Sequence, residues 1–311
     1  MKRHTFVGVA AGLAVSAGPG MLAAQSLEHY AAAATPIEGD SLIFLAQSEG
    51  YFAKVGIALD VQSLSTGEDN AAALASGNIQ IGGINTMSLA IAHQNGIDLK
   101  AIAGGVMYLS SHTGSLMMVA KSSTVTSGAG LNGKTMATNV LHGSAQISSE
   151  AWVDKTGGDS KTVHWVEMPF SLMEAALVAG RIDAALITQP FATTALATCR
   201  SLGSPNDAIA SRYLNGCYCA TQTWLDTHRD AAVRMRSALS KAAHWYDTDP
   251  AGSVQAVAAL TKQDPAIVAK SVRSIFGETI EPALLQPVID VGARYGLLKR
   301  SFPASEIIAK L

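Results

Sequence analysis

Charge is scarce in this chain and clustered nowhere. Only 15% of the residues are charged, 22 Lys and Arg against 24 acids, and no run of basic residues occurs. With a formal net charge of −2 there is no basic face to hold a phosphate backbone, which excludes a nucleic-acid partner. Neither an HExxH helix nor a GxSxG elbow is present, and no nucleotide-binding loop is expected. Cysteine is nearly absent: Cys199, Cys217 and Cys219 all fall late, and Cys217-Tyr218-Cys219 has the spacing of neither a zinc knuckle nor a CxxC redox site. No cofactor and no metal are expected. In an oxidising compartment Cys199 could bridge to Cys217 or Cys219, and the sequence leaves that choice open. What is plentiful is apolar residues, 48% over 311 positions, enough for one or two cores and too much for disorder.

The first two dozen residues have a grammar of their own. Lys2, Arg3 and His4 form a basic head, Phe6 to Ala17 is small and apolar, and Pro19 and Gly20 break the run before Leu22-Ala23-Ala24. That is the anatomy of a secretory signal peptide over 1–24, too short and too rich in Ala and Gly for a membrane span. Cleavage after Ala24 removes two cations and no acid, taking the net charge from −2 to −4. The leader has no Cys to carry a lipid, so the expected product is soluble, periplasmic and begins near Gln25.

Beyond the leader the chain repeats itself. AALASGNIQI at 72–81 is echoed by AALVAGRIDA at 175–184. In each copy an apolar helix runs into a glycine, Gly77 or Gly180, where a left-handed residue ends a helix cheaply, and a strand follows at once. The register continues into Asn85-Thr86-Met87 and Thr188-Gln189-Pro190, polar residues between a strand end and the next helix. Upstream, strands at 60–64 and 163–166 lead into those helices, the second through Ser171-Leu172-Met173-Glu174, which reads as a capping box. The expected fold class is α/β, two lobes each built on a parallel sheet with helices on both faces. After Asp226 helices are expected at 230–245, 251–261, 265–276 and 282–295, the last three announced by Asp249-Pro250, Asp264-Pro265 and Glu281-Pro282, buttressing the first lobe. In such sheets the loops at the strand carboxyl ends gather at one edge, and ligands bind there. Two facing edges make a cleft that closes about a hinge.

At this point the residues resemble a known group. FLAQSEGYFAKVGI at 44–57, LNGKT at 131–135, and GRIDAA at 180–185 followed by Gln189-Pro190-Phe191 stand in the order and spacing of the nitrate/sulfonate/taurine-type (SsuA/THI5-like) ABC solute-binding proteins, a group that includes thiamine-precursor and riboflavin binders. The resemblance runs from about Leu27 to the C-terminus. It implies a type II periplasmic binding fold, two lobes joined by two hinge strands, and delivery of a small-molecule ligand to a membrane permease. The lobes are placed at 25–108 plus 213–311 and at 109–212, in a monomer. Glu38 and Asp40 depart from the apolar first loop usual in the group, and the Cys-rich motif of its pyrimidine-synthase branch is missing. An enzyme is therefore not expected; a lyase or synthase on the same fold is the competing reading, which an export leader disfavours.

The strand ends and helix starts nominate the ligand contacts. In the first lobe they are Ile37 and Glu38, Thr66 and Gly67, and Asn85 and Thr86; Tyr108 lies near the first hinge, to stack on a ligand or simply pack. In the second lobe they are His142, Gly143 and Ser144 at a helix start, Phe170 as a wall or a staple, and Gln189 mirroring Thr86. No Arg or Lys is seen in these loops, so a dianion lacks its usual bidentate partner. Backbone donors at Thr66, Thr86 and Ser144 leave a sulfonate possible. Phe170, Tyr108 and Met87 would equally sandwich a flat heterocycle, with Glu38 accepting from a ring amine.

Overall fold

Each apolar strand of this chain needs a neighbour, and the alternation of strand and helix decides which neighbour it gets. The computed structural model describes residues 27–311; the signal-peptide assignment over 1–24 lies outside the described residues. In order, the chain forms β1 (Glu28–Ala34), α1 (Leu42–Ser48), β2 (Ile57–Ser63), α2 (Gly67–Ala75), β3 (Ile81–Asn85), α3 (Thr86–Gln94) and β4 (Leu99–Gly104). There follow β5 (Val106–Leu109), β6 (Ser115–Ala120), β7 (Thr135–Thr138), α4 (Ser144–Lys155), β8 (His164–Glu167), α5 (Phe170–Val178) and β9 (Ala184–Thr188). Next come α6 (Phe191–Ala195), β10 (Cys199–Ser201), β11 (Arg212–Leu214), β12 (Gly216–Thr221) and α7 (Gln222–Thr248). The chain ends with α8 (Pro250–Thr261), α9 (Pro265–Val268), β13 (Ile275–Phe276) and α10 (Pro282–Arg294).

The strands sort into two five-stranded sheets, β2-β1-β3-β12-β4 and β8-β7-β9-β6-β10, and a three-stranded one, β11-β5-β13. The two large sheets have the same order, so the echo read at 72–81 and 175–184 is an echo of topology: β1, β2 and β3 correspond to β7, β8 and β9. Parallel sheets were expected, but neither sheet is wholly parallel. β12 runs antiparallel to β3 and β4, and β6 antiparallel to β9 and β10. The physical reason is the connection: each reversed strand is the one that enters its sheet after the chain has crossed from the other lobe. The crossing segments, β5 going out and β11 coming back, pair antiparallel, Tyr108 opposite Tyr213. Gly105 permits this sharp departure, since a side chain there would sit 2.8 Å from the Gly216 carbonyl oxygen.

The C-terminal region departs from expectation in one place. A helix over 265–276 was expected, but α9 stops at Val268, and Ile275 and Phe276 instead pair with Met107 and Val106 of β5. Phe276 buries its ring against Tyr246, 5.0 Å away, a burial worth more than continuing a solvated helix. The other starts are as read: Asp249 and Asp264 each accept from a backbone N–H of the first turn, and Pro282 opens α10. The capping box at Ser171 does not form; α5 begins one residue earlier, after Pro169, with no side-chain cap, and Glu174 instead accepts from the Thr198 hydroxyl at 2.7 Å.

Two further expectations change. All three cysteines are free and buried. Cys199 sits on β10 of the second sheet while Cys217 and Cys219 sit on β12 of the first, so the bridge considered for Cys199 is geometrically closed to it. The eight residues GAGLNGKT at 128–135 do satisfy the letters of a phosphate loop, contrary to the expectation that none is present. Their setting is the reverse of such a loop, because they lead into β7 instead of linking a strand to a helix. Lys134 pairs with Asp183 at 3.5 Å, and Gly128 abuts the Val153 carbonyl at the end of α4 where no side chain fits. Gly128 and Gly130 serve packing, and Gly133, at φ 67° in open space, serves the turn.

Candidate ligand-binding cleft

The carboxyl ends of β1, β3, β7 and β9 face each other across the interlobe space and enclose a cavity of about 120 Å³. Asn85 is its keystone. As the residue that ends β3 and caps α3, it accepts from the Ser88 N–H at 2.8 Å, and the same Oδ1 accepts the Ser144 hydroxyl of the second lobe at 3.0 Å. Ile37 also reaches across, packing on the second-lobe cluster that contains Phe170. The two lobes are thus in a closed arrangement.

Eight of the nominated residues line this cavity: Ile37, Gly67, Asn85, Tyr108, Gly143, Ser144, Phe170 and Gln189. Gly67 is there because anything larger collides, a Cβ lying 2.9 Å from the Asn85 Nδ2. Tyr108 offers its ring only, since its hydroxyl donates to Asp207 at 2.7 Å, behind the wall. Gln189 has its Oε1 held by the Thr193 hydroxyl and N–H, which leaves the amide NH2 for the cavity.

The structure places four others elsewhere. Glu38 turns inward, buried, where it accepts from the Tyr246 hydroxyl and from the Ser274 N–H at 3.1 Å; burial pushes its carboxyl upward. Thr86 donates to the Leu214 carbonyl at 2.7 Å beneath the floor. Thr66 caps α2 through the Asp69 N–H and lines an adjoining groove that shares Thr35, Ile37, Asn139 and Phe170 with the cavity. His142 is exposed, left-handed at φ 63°, with its N–H on Gln146. Met87 is wholly in the core. For Thr66 and Thr86 the cause is that a strand-end hydroxyl satisfies a backbone group before any ligand arrives, whereas Glu38 is drawn inward by Tyr246 and Ser274 from the far end of the chain.

Sequence reasoning missed a second set. Asn139, Asn206, Asn215, Arg273 and Ser274 also line the cavity, beside Asp40, whose loop was read as part of the cleft. Arg273 corrects the expectation that no cation is near, although its guanidinium is committed to the Tyr246 carbonyl, the Ser253 hydroxyl at 3.0 Å and the face of the Tyr246 ring at 4.0 Å. Asp40 is half-buried, and its carboxyl is raised to about 6 by desolvation, partly offset by hydrogen bonds from Thr35. Asp40 was visible as a departure from the family pattern; Arg273 and Ser274, on a stretch that reads as helix, gave no signal.

A family model described as NMT1/THI5 like matches residues 41–253. The chain belongs to the NMT1/THI5-like family. No curated protein matches the sequence of this family member. Its fold is that of several solved periplasmic binding proteins. It is similar to the alkanesulfonate-binding protein SsuA from Xanthomonas axonopodis pv. citri bound to MOPS, at 18% identity and a TM-score of 0.76, over 92% of this chain and 99% of that one. The aliphatic sulphonate binding protein SsuA of Escherichia coli gives 16% and 0.73, over 92% and 93%. The nitrate-binding protein NrtA of Synechocystis PCC 6803 gives 13% and 0.74, over 90% and 85%. At these identities the likeness establishes the periplasmic binding protein fold, and the ligand has to be argued from this chain's own residues. No helix among the described residues is long and apolar enough to cross a membrane.

Proposed function

We propose that this chain is the exported solute-binding component of an ABC importer. It captures a small organic solute, of sulfonate/taurine-like or thiamine-precursor-like character, by hinge closure of lobes 25–108 plus 213–311 and 109–212, and presents it as a periplasmic monomer to a membrane permease. The observation that carries this reading is the closed cavity walled by both lobes and latched by Asn85 and Ser144, with the crossing strands β5 and β11 paired behind it as a hinge.

A binder fits these walls better than the lyase or synthase alternative. No cysteine lines the cavity, and His112, which does, points its Nε2 at the Arg273 carbonyl, 2.8 Å away, instead of at a hydroxyl it could activate. The Ser144 hydroxyl is engaged with Asn85.

The test is native mass spectrometry of protein recovered from a periplasmic extract. The expected result is a chain starting near Gln25 that releases one small molecule per protomer on denaturation. A chain retaining Met1 in the cytoplasm, with no bound solute, would sink the transport reading.

A further inference from the structure

Helix α4 carries two apolar faces, and they are buried in different lobes. Trp152 and Val153 belong to a second-lobe core cluster with Met117, Leu131 and Met136. Ile147 and Ala151, four residues apart and so on one stripe of the helix, belong instead to the cluster of the first lobe. Their company there includes Tyr108, Tyr213 and Leu214 of the crossing strands and Leu285 and Val288 of α10. Every other buried member of that cluster comes from 25–108 or 213–311. Ile147 is fully buried, so the apolar interior of the first lobe runs without a break into a helix of the second.

The same helix begins at the cleft. Gly143 lines the cavity and caps α4 without a side-chain bond, and Ser144 lines it too while its hydroxyl reaches Asn85 at 3.0 Å. Near the other end, Tyr295, which closes α10, stands beside Asp154 of α4. Burial and then that carboxylate push the Tyr295 hydroxyl up to about 12. One unbroken helix of 12 residues therefore joins a wall of the cavity to a seam between the lobes.

Resting on the two-lobed solute-binding reading, we infer that Ile147 and Ala151 are positioning residues. Their seam with α10 holds the start of α4 against Asn85, keeps part of the solute-free protein closed, and so sets affinity from outside the cleft. Opening the cleft parts Ser144 from Asn85 and draws α4 off α10, which bares Ile147 to water; the lost burial opposes opening even with no solute present. Neither Ile147 nor Ala151 lines the cavity, so neither acts by touching the solute. Apparent affinity scales with the closed share of the free protein, and trimming one side chain in the seam lowers that share while the cavity walls stay the same.

Double electron–electron resonance tests this on solute-stripped protein, with spin labels at Asp69→Cys and Ser171→Cys, one exposed position on each lobe. The three native cysteines are buried and stay unlabelled. The stripped wild-type chain should show a short-distance population beside a long one. Ile147→Ala should lower the closed-to-open ratio about 10-fold and Ile147→Val about 3-fold. Val153→Ala, equally buried but on the face turned to the second-lobe cluster, should lower the thermal unfolding midpoint comparably and leave the ratio within about twofold. Should Ile147→Ala fail to fold, Ile147→Val and Tyr295→Phe carry the comparison, each with a lowered ratio. A stripped wild type that is wholly open, an Ile147→Ala ratio equal to that of the wild type, or a Val153→Ala that shifts it as far overturns the seam. These distances are read without solute, so the solute-binding reading is judged apart from them: it falls if the wild-type periplasmic protein releases no small molecule, whatever the distances show.

Discussion

The two lobes share a strand order and share little else at the cleft. The first lobe presents an ionisable side chain, Asp40, backed by the buried Glu38–Tyr246 pair and by Arg273. The second presents only His112, whose Nε2 is tied to the Arg273 carbonyl at 2.8 Å, beside an otherwise uncharged wall that includes Val140, Gly143, Ser144, Phe170, Thr188 and Gln189. A repeated topology has thus been given two jobs. One lobe carries the electrostatics, desolvated in advance of any ligand, and the other supplies shape, amide groups and a free helix start. The comparison teaches that duplication conserves where strand ends converge, while the few side chains placed there divide the labour.

The largest effect that could break this comparison is the cost of Asp40. Its folded pKa, about 6, stands above the usual 3.8. The unfolded chain therefore binds fewer protons than the folded one between those values, and stability falls as pH rises through that window. The shift corresponds to about 3 kcal/mol at most, lost by pH 7. The expected outcome is that Asp40→Asn raises the unfolding midpoint of the ligand-free protein at pH 7 and leaves it nearly unchanged at pH 4. An equal gain at both pH values, in thermal unfolding followed by circular dichroism, would show that the first lobe pays no such electrostatic penalty.

Next in size is the latch. Asn85→Ala combined with Gln189→Ala removes one amide from each lobe and the hydrogen bond to Ser144. Affinity for the natural solute should drop about 100-fold, or about 2.7 kcal/mol. Titration showing undiminished affinity would mean that neither wall is read correctly. Tyr246→Phe follows, because it strips a hydrogen bond from a buried carboxylate already unsatisfied at its Oε2. It should cost about 2 kcal/mol in denaturant unfolding. The corresponding change on the second lobe, Phe170→Leu, should weaken binding while stability changes by less.

How much of this was legible beforehand follows from where each residue finds its partner. The echo was readable because Gly77 and Gly180 end helices by a local rule, at φ 77° and 67°. Asn85, Ser144 and Gln189 were readable because strand ends and helix starts point to the cleft wherever the topology is known. Glu38 was misplaced because its partners, Tyr246 and Ser274, lie more than 200 residues away, and nothing near it in sequence announces them. Arg273, Ser274 and β13 were hidden for a similar reason: a two-residue strand inside an apparently helical run is fixed by pairing with β5 alone.

Smaller effects sharpen the boundary of the site. Thr66→Ala should cost about 1 kcal/mol as a lost helix cap and leave affinity intact, since Thr66 lines the adjoining groove. His142→Ala, at an exposed position, should change affinity less than twofold in the same titrations; a larger loss would restore it to the cleft. Native protein should give no reaction with a thiol reagent such as DTNB, and three thiols should appear on unfolding. Fewer than three would mean that a bridge forms after all.

The short strand β13 has a use beyond architecture. The residues just before it, Val272 to Ser274, wall the cavity, while Lys270 two positions earlier is exposed. One run of backbone therefore connects the ligand's surroundings to open solvent within a few residues, on the same small sheet as both crossing strands. A fluorophore attached at position 270 would sense filling of the cavity and turning of the lobes together, without replacing any residue that lines the cavity, making the chain a ready frame for an optical sensor of its solute.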